Sequence, residues 1–508
     1  MSADDHPQFQ RAYQALLARG PGRMVPDLTR ITALSELLGD PQRAYPSVHV
    51  TGTNGKGSVV RMVGALCSAA GLSAGTYTSP HLQTVRERLS LAGRPIGPER
   101  FAEVYDEVAG LADLVDRQLR ERDGAEADQL TFFELLTAMA GWWFADVPVD
   151  VGVFEVGMGG SWDATNLVRG DVAVINTIDV DHSELGTTPE QTAREKVGII
   201  KPGAHVVSAP QTTRVADQVS AAAEEAGATL WWLGDDVEVV GREVAVGGQL
   251  LELRVGDRTV EEVLLPLFGA HQADNAALAL GAFAALTGAS FDAMDDEVVR
   301  HGLGAVQVPG RLEVVHRDPT VVLDGAHNAH GARAAAAALE ESFGFRELVL
   351  VAACLEDKDV ESILAALQGA ASHVVVTRAP SPRAASVERM QAAALAVWGD
   401  SGVVVEAATD LGSALTLAES VAREGDGVLV VGSLTTVGAA RDRYLPLPDD
   451  DPEEVVIAPA DEPDAVDEDE VDALSALLDD EDELSAALEQ LAEEEGPNEA
   501  DRDDPGSP

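Results

Sequence analysis

The stretch Thr51, Gly52, Thr53, Asn54, Gly55, Lys56, Gly57, Ser58 constrains this chain more than any other. It follows a short apolar run, Ser47–Val50, that reads as a strand, and precedes Val59–Leu66, which reads as a helix. Glycines on such a strand–turn–helix let backbone N–H groups close on an anion, the helix N-terminus adds positive potential, and Lys56 adds a full charge. The spacing is not that of the usual phosphate loop, G-x-x-x-x-G-K-[ST]. Val50 stands where the first glycine belongs, Gly57 where the hydroxyl belongs, and Ser58 follows one position later. The plainer reading is a tight turn whose glycines serve backbone geometry alone. Strand, glycines, lysine and helix in sequence favour a nucleotide-phosphate site.

The surrounding pattern predicts an α/β fold. Strands are expected in Gly75–Leu82, where one runs into a Ser-Pro turn, and at Val149–Val156, Asp171–Ile178 and Ala204–Ala209, with helices around Leu28–Leu38, Glu99–Arg122, Leu130–Met139 and Glu190–Ile200. Thr131, with Glu134 three positions on, is a candidate capping pair. Alternation of this kind implies a mostly parallel sheet whose ligands gather at the carboxyl ends of the strands. The phosphate turn, Ser79, Glu155 and His182 all fall near such ends. Asp235–Leu267 reads as an antiparallel excursion, and the Pro309-Gly310 break before Arg311 marks a domain boundary. A second, Rossmann-like α/β pattern follows, with Thr320–Leu323 as its first strand. The expected division is a phosphate-loop domain over 1–308 with a helical lead, a second domain over 309–447, and a tail over 448–508.

Composition narrows the function classes. The net charge is −52, of which residues 449–508 contribute −25 from 26 acidic side chains and Arg502. Such a tail is expected to be disordered, its partner unknown. The remainder is too acidic for a general nucleic-acid binder, which needs a basic face. No apolar run is long enough to span a membrane and no signal peptide is visible, so the expected setting is cytoplasmic. Cys67 and Cys354 are expected as core residues. Only Lys56, Lys196, Lys201 and Lys358 are lysines, against a background of arginine.

Individual residues admit two readings. Glu155 closes an apolar strand, where a carboxylate must be solvated, paired or metal-bound. Beside a phosphate loop a Mg²⁺ role is favoured over a structural ion pair. His182 lies among Asp179, Asp181 and Glu184 and reads as a metal ligand or an exposed turn residue. Lys196 reads by itself as a solvated helix residue. Asp324–Asn328 either reaches toward a nucleotide or forms a loop in which Asn328 caps the following helix. Arg311 is a phosphate partner or an ordinary hinge arginine, and Trp142, Trp143, Trp231 and Trp232 read as packing.

Taken together and in order, these motifs resemble the Mur ligase superfamily, and within it the folylpolyglutamate synthase/dihydrofolate synthase branch. The matching pieces are Thr51–Ser58, Ser79–Leu82, Thr131–Glu134, Glu155–Gly160 with Asp163–Asn166, Asp181–His182, Glu195–Ile199, Asn275, Pro309–Arg311 and Asp324–Asn328. The tail is not covered. Ser161 and Trp162 replace a usual basic residue, Val197 a usual alanine, and Ala329 a usual proline.

The resemblance implies an ATP-dependent amide ligase that joins L-glutamate to dihydropteroate or a reduced folate through an acyl phosphate. It implies two Mg²⁺ ions held by Ser79, Glu155 and His182, with a monovalent cation as a further candidate. It also implies a carbamylated Lys196, a phosphate loop of Gly52, Thr53, Asn54, Gly55, Lys56, Gly57 and Ser58, and adenosine or phosphate contacts from Asn275, Arg311, Asp324 and His327. A folate or pterin pocket is implied around Thr29, Arg30, Thr131, Phe132, Phe133, Trp162 and Asp163, and a monomer is expected. A peptidoglycan-precursor ligase and a non-catalytic nucleotide-binding module are the competing readings.

Overall fold

Glycines at close-packed points explain how the first sheet is covered. In a computed structural model, which describes residues 3–21, 25–124, 128–180, 183–288 and 295–447, Gly75 and Gly152 lie side by side on neighbouring strands. A Cβ on Gly75 would sit 2.6 Å from the Phe144 ring, and one on Gly152 2.5 Å from Tyr45. These aromatics therefore rest directly on backbone.

That sheet contains β1 (Ser47–Thr51), β2 (Ala74–Tyr77), β3 (Leu89–Leu91), β4 (Arg94–Pro95), β5 (Val151–Glu155), β6 (Val172–Ile175), β7 (His205–Ser208) and β8 (Thr229–Trp232). Their order is β4-β3-β2-β5-β1-β6-β7-β8, parallel from β2 through β8, with β3 and β4 an antiparallel edge. Side chains of β1 alternate between faces. Val48 and Val50 enter a core with Val59, Met62 and Val63 of the helix Lys56–Ala69 and with the helix Ala270–Thr287. The opposite face carries Phe154 and Tyr77 into a core with Phe9, Phe101 and Phe144, from the helices Pro7–Ala18, Pro98–Asp123 and Phe132–Asp146. Thr131 and Glu134 form the expected reciprocal cap of the last of these.

The antiparallel excursion is a three-stranded sheet of β9 (Val237–Ala245), β10 (Gly248–Val255) and β11 (Arg258–Leu265). The third sheet contains β12 (Glu313–Arg317), β13 (Thr320–Leu323), β14 (Leu348–Ala352), β15 (His373–Val376), β16 (Val404–Ala407) and β17 (Gly427–Val431), in the order β12-β13-β17-β14-β15-β16. All neighbours are parallel except β12 with β13. Helices cover both faces, including Ala329–Ser342, which Asn328 caps, and Leu434–Tyr444.

Two expectations change. The first strand of the third sheet is β12, not Thr320–Leu323, because Glu313–Arg317 folds back on it as a hairpin. The phosphate-loop helix begins at Lys56 rather than Val59, directly after Gly55 at φ +81°. Trp231 and Trp232, in the edge strand β8, pack against hydrophobic cores as expected. Among the described residues no helix is long and apolar enough to cross a membrane. The acidic tail lies outside the described residues.

Candidate active site

The register of three strands brings the chemistry together. Val50 on β1 pairs with Glu155 on β5, and Thr51 with Ile175 on β6. The phosphate loop therefore leaves the sheet between Glu155 and Asn176. Gly52, at φ +144°, passes so close to Asn176 that a Cβ would lie 2.6 Å from the asparagine Cβ. Gly55 has no room either, because a Cβ there would collide with the amides of Asn176 and Asn275. Thr53 locks the turn: its hydroxyl donates to Asp179 O at 3.0 Å and accepts from Asp179 N at 2.9 Å.

Gly57 accounts for the missing hydroxyl. A Cβ at this position would stand 3.3 Å from Glu155 Oε2, so the first turn of the helix faces the carboxylate. Glu155 is only 5% exposed and accepts from the backbone N–H of Ser79 at 2.9 Å. Burial pushes its pKa up, opposed by Lys56, the Ser79 N–H, Arg311 and Arg61. Lys56 donates to Gly52 O at 3.0 Å and Thr53 O at 3.2 Å. Lys196 is 1% exposed and donates to Gly52 O at 2.8 Å, behind the loop.

The cleft in front of the loop measures about 1400 Å³ with its open mouth. Thr53 to Ser58, Ser79, Glu155, Asn275, Arg311, Asp324 and His327 all line it. Gly52 and Lys196 form its backing. Lys56 and Arg311 bring positive charge to its lining, and Ala209, Pro210, Leu233, Ala334 and Ala335 bring apolar surface. A lining that combines the two with a phosphate loop suits a nucleotide.

The third sheet completes the cleft. Asp324 accepts from Leu312 N at 3.0 Å and from Ala326 N at 2.8 Å, and burial pushes its pKa up against the pull of Arg311. A Cβ on Gly325 would be 2.7 Å from an Arg311 guanidinium nitrogen, so that glycine makes room for the cation. Asn328 donates to Asn54 Oδ1 at 3.1 Å, and the Asn54 amide meets His330 Nδ1 at 3.1 Å.

Comparison with known proteins decides the family. Residues 128–283 match the Mur ligase middle domain, and residues 310–434 match the Mur ligase glutamate ligase domain. The dihydrofolate synthase/folylpolyglutamate synthase of Mycobacterium tuberculosis is 44% identical over 440 residues, covering 82% of this chain and 90% of the relative. This chain belongs to the folylpolyglutamate synthase/dihydrofolate synthase family of Mur ligases. The Bacillus subtilis enzyme of the same name is 34% identical over 361 residues, covering 71% and 82%. The structure of Mycobacterium tuberculosis folylpolyglutamate synthase complexed with ADP superposes with a TM-score of 0.81 at 42% identity, covering 86% of this Mur ligase and 98% of that chain.

The residues expected around a pterin lie on the other face of this ligase's first sheet. Arg30 is buried and donates to both Glu134 oxygens, at 3.1 and 3.2 Å, while Thr131 caps the helix that carries Phe132 and Phe133. Thr29 opens its own helix, its N–H bonded to Asp27 at 2.8 Å. The Phe133 ring fills the space over Gly157, and Trp162 lies beside Gly159. Asp163 commits its carboxylate to the turn, accepting from Met158 N at 2.8 Å and Thr165 N at 3.0 Å. None of these seven lines the cleft described above. His182 lies outside the described residues.

Sequence reasoning missed several groups that this Mur ligase brings to the site. Asn176 donates to Asn275 Oδ1 at 2.7 Å and braces both glycine turns. Its only sequence signal is a polar residue directly after an apolar strand. His271, Gln272 and Asp274 line the cleft from an alanine-rich helix whose composition suggests nothing but packing. His271 is held neutral, its pKa pushed down to about 4 by burial and by Arg311. Arg88 lies 5.4 Å above the Phe132 ring and donates from Nε to His81 Nδ1 at 2.9 Å. Burial and Arg88 push His81 down to about 3.

Proposed function

We propose that this chain uses ATP to join L-glutamate to a folate-type carboxylate, either dihydropteroate or a reduced folate that already carries glutamate. The observation that carries the reading is one cleft in which Lys56 of the phosphate loop, Glu155 at the end of β5 and Arg311 ahead of β12 come together. The reaction must bring a carboxylate up to a triphosphate, two groups of like charge. The acceptor carboxylate attacks the γ-phosphorus and ADP leaves, giving an acyl phosphate. The amine of glutamate then attacks the acyl carbon, and phosphate departs. Lys56 and Arg311 offset negative charge at the phosphates, and the loop N–H groups orient them. Asn275 and Asp324 border the nucleotide, while His327 sits where the third sheet approaches the reacting groups.

Among the described residues no cluster of three or more His, Cys, Asp and Glu side chains is spaced to hold a metal. Mg²⁺ does not require one, because it is commonly bound by one or two carboxylates together with substrate phosphates and water. A buried Glu155 beside Lys56 and Ser79 fits that pattern, and Ser79 and Glu155 would hold such an ion. When bound, Mg²⁺ would neutralise charge on the transferring phosphoryl group. Lys196 fits the carbamate reading: a carbamate keeps one N–H on Nζ, so its bond to Gly52 O survives the modification. The added carboxylate would supply a further anionic ligand. The monomer is taken as the working unit.

The test incubates pure protein with ATP, Mg²⁺, labelled glutamate and either dihydropteroate or a reduced folate. ADP and a labelled amide are expected, and absence of both with either acceptor overturns the reading. Lys196→Ala should lose at least about 10²-fold in kcat, the scale of removing one transition-state contact, with partial return on adding a short carboxylate. Full activity without rescue rejects the carbamate.

A further inference from the structure

Two segments that shape the cleft meet on one helix of the third sheet. The first is the loop Ser79–Arg88, whose Ser79 N–H holds Glu155. Its conformation is fixed by Glu87, which accepts from Leu82 N at 2.8 Å and from Gln83 N and Thr84 N at 2.9 Å. The second is the crossover Pro309–Leu312, which delivers Arg311 to the cleft. There Glu313 Oε2 accepts from Gly310 N at 2.8 Å.

The helix Leu434–Tyr444 binds both. Arg441 donates from Nε to the two Glu313 oxygens at 3.0 and 3.1 Å, and from Nη1 to Gln83 Oε1. The Gln83 amide returns to the same helix, donating to Asp442 Oδ1 at 2.7 Å and Leu445 O at 3.0 Å. Packing repeats the pattern. Leu82 sits between two glycines: a Cβ on Gly310 would be 3.3 Å from its side chain, and one on Gly438 would strike its carbonyl. None of Gln83, Glu313 and Arg441 lines the cleft. A guanidinium suits this place because its planar fork can serve a carboxylate and an amide in different directions at once, which an ammonium does less well.

We propose that Arg441 is a positioning residue for the ligase reaction: by bridging Gln83 and Glu313 it sets the Ser79–Glu155 side of the site in register with Arg311. This rests on the functional reading above. It requires the alignment of two walls, not nucleotide affinity, to suffer when the bridge is cut. A small misplacement at that distance from the chemistry is enough to slow it.

The experiment measures kcat, KM for each substrate and direct binding of a fluorescent ATP analogue for wild type, Arg441→Ala, Arg441→Lys, Gln83→Ala and the Arg441→Ala/Gln83→Ala double variant. Expected are a fall of about tenfold in kcat for Arg441→Ala, analogue affinity within about twofold of wild type, and partial recovery in Arg441→Lys. The double variant should be no slower than Arg441→Ala, because both changes cut one connection. Gln83→Ala, a smaller change, tests the bridge if Arg441→Ala folds poorly. Wild-type kcat in Arg441→Ala, with or without a lower Tm, overturns the proposal. So does a double variant whose losses multiply. A wild-type protein that forms no ADP overturns the functional reading and this proposal together; a working wild type beside an unaffected variant overturns this proposal alone.

Discussion

At the scale of residues, burial decides which groups carry charge. His49 on β1 is fully buried, accepts or donates one bond to Thr165 Oγ1 at 2.8 Å, and has a pKa pushed down to about 3 by burial and by Lys201. In the unfolded chain an imidazole titrates near about 6.5. Its folded pKa is lowered, so its contribution to stability is present above about pH 6.5 and is lost as pH falls from there toward about 3. At pH 5 the loss amounts to about 2 kcal/mol relative to pH 7. His49→Gln should remove that share of the acid sensitivity, measured as urea unfolding at pH 7 and pH 5; an unchanged difference between the two pH values counts against it. His81 and His271 act in the same direction, whereas buried Glu155, Asp163 and Asp324, whose pKa values are raised, oppose it in the acid range. Gly55 shows backbone deciding instead. A side chain there meets both a left-handed φ of +81° and the amides of Asn176 and Asn275. Gly55→Ala should destabilise by about 1–3 kcal/mol and abolish nucleotide binding, whereas near-native binding of a fluorescent ATP analogue would show that the loop tolerates a methyl group.

At the scale of elements, legibility follows how local the signal is. The strand, glycine turn and helix around Lys56 were readable because each is written in adjacent residues. The cap from Thr131 and Glu134 was readable for the same reason. Thr131→Ala should cost about 1 kcal/mol in denaturant unfolding, and a cost near zero would mean that the hydroxyl adds nothing to the cap beyond the bond from the residue 131 N–H to Glu134, which alanine keeps. What could not be read depends on partners far along the chain. The β3–β4 edge is only three and two residues long, too short for a periodicity. β12 is recognisable as a strand only once β13 lies against it. Asn176 and Arg88 acquire their roles from residues distant in sequence. The candidate ATP residues were legible through motif order, which records spatial convergence without explaining it. The register of β1 against β5 and β6 explains it.

At the scale of the whole molecule, the described residues that line the cleft run from Thr53 to Leu434. A chain ending at Leu447 should therefore keep wild-type kcat and KM. A large drop on removal of the acidic tail would make that tail part of the working enzyme. The contacts of Asn54 with Asn328 and His330 bear on how the two walls of the cleft are joined. They are hydrogen bonds of an uncharged amide at 3.1 Å, not ion pairs, and they fasten the phosphate loop to the far wall. Bonds of that kind contribute only about 1 kcal/mol each. The two walls are thus joined there by contacts that thermal motion can break and remake, not by a charged clasp.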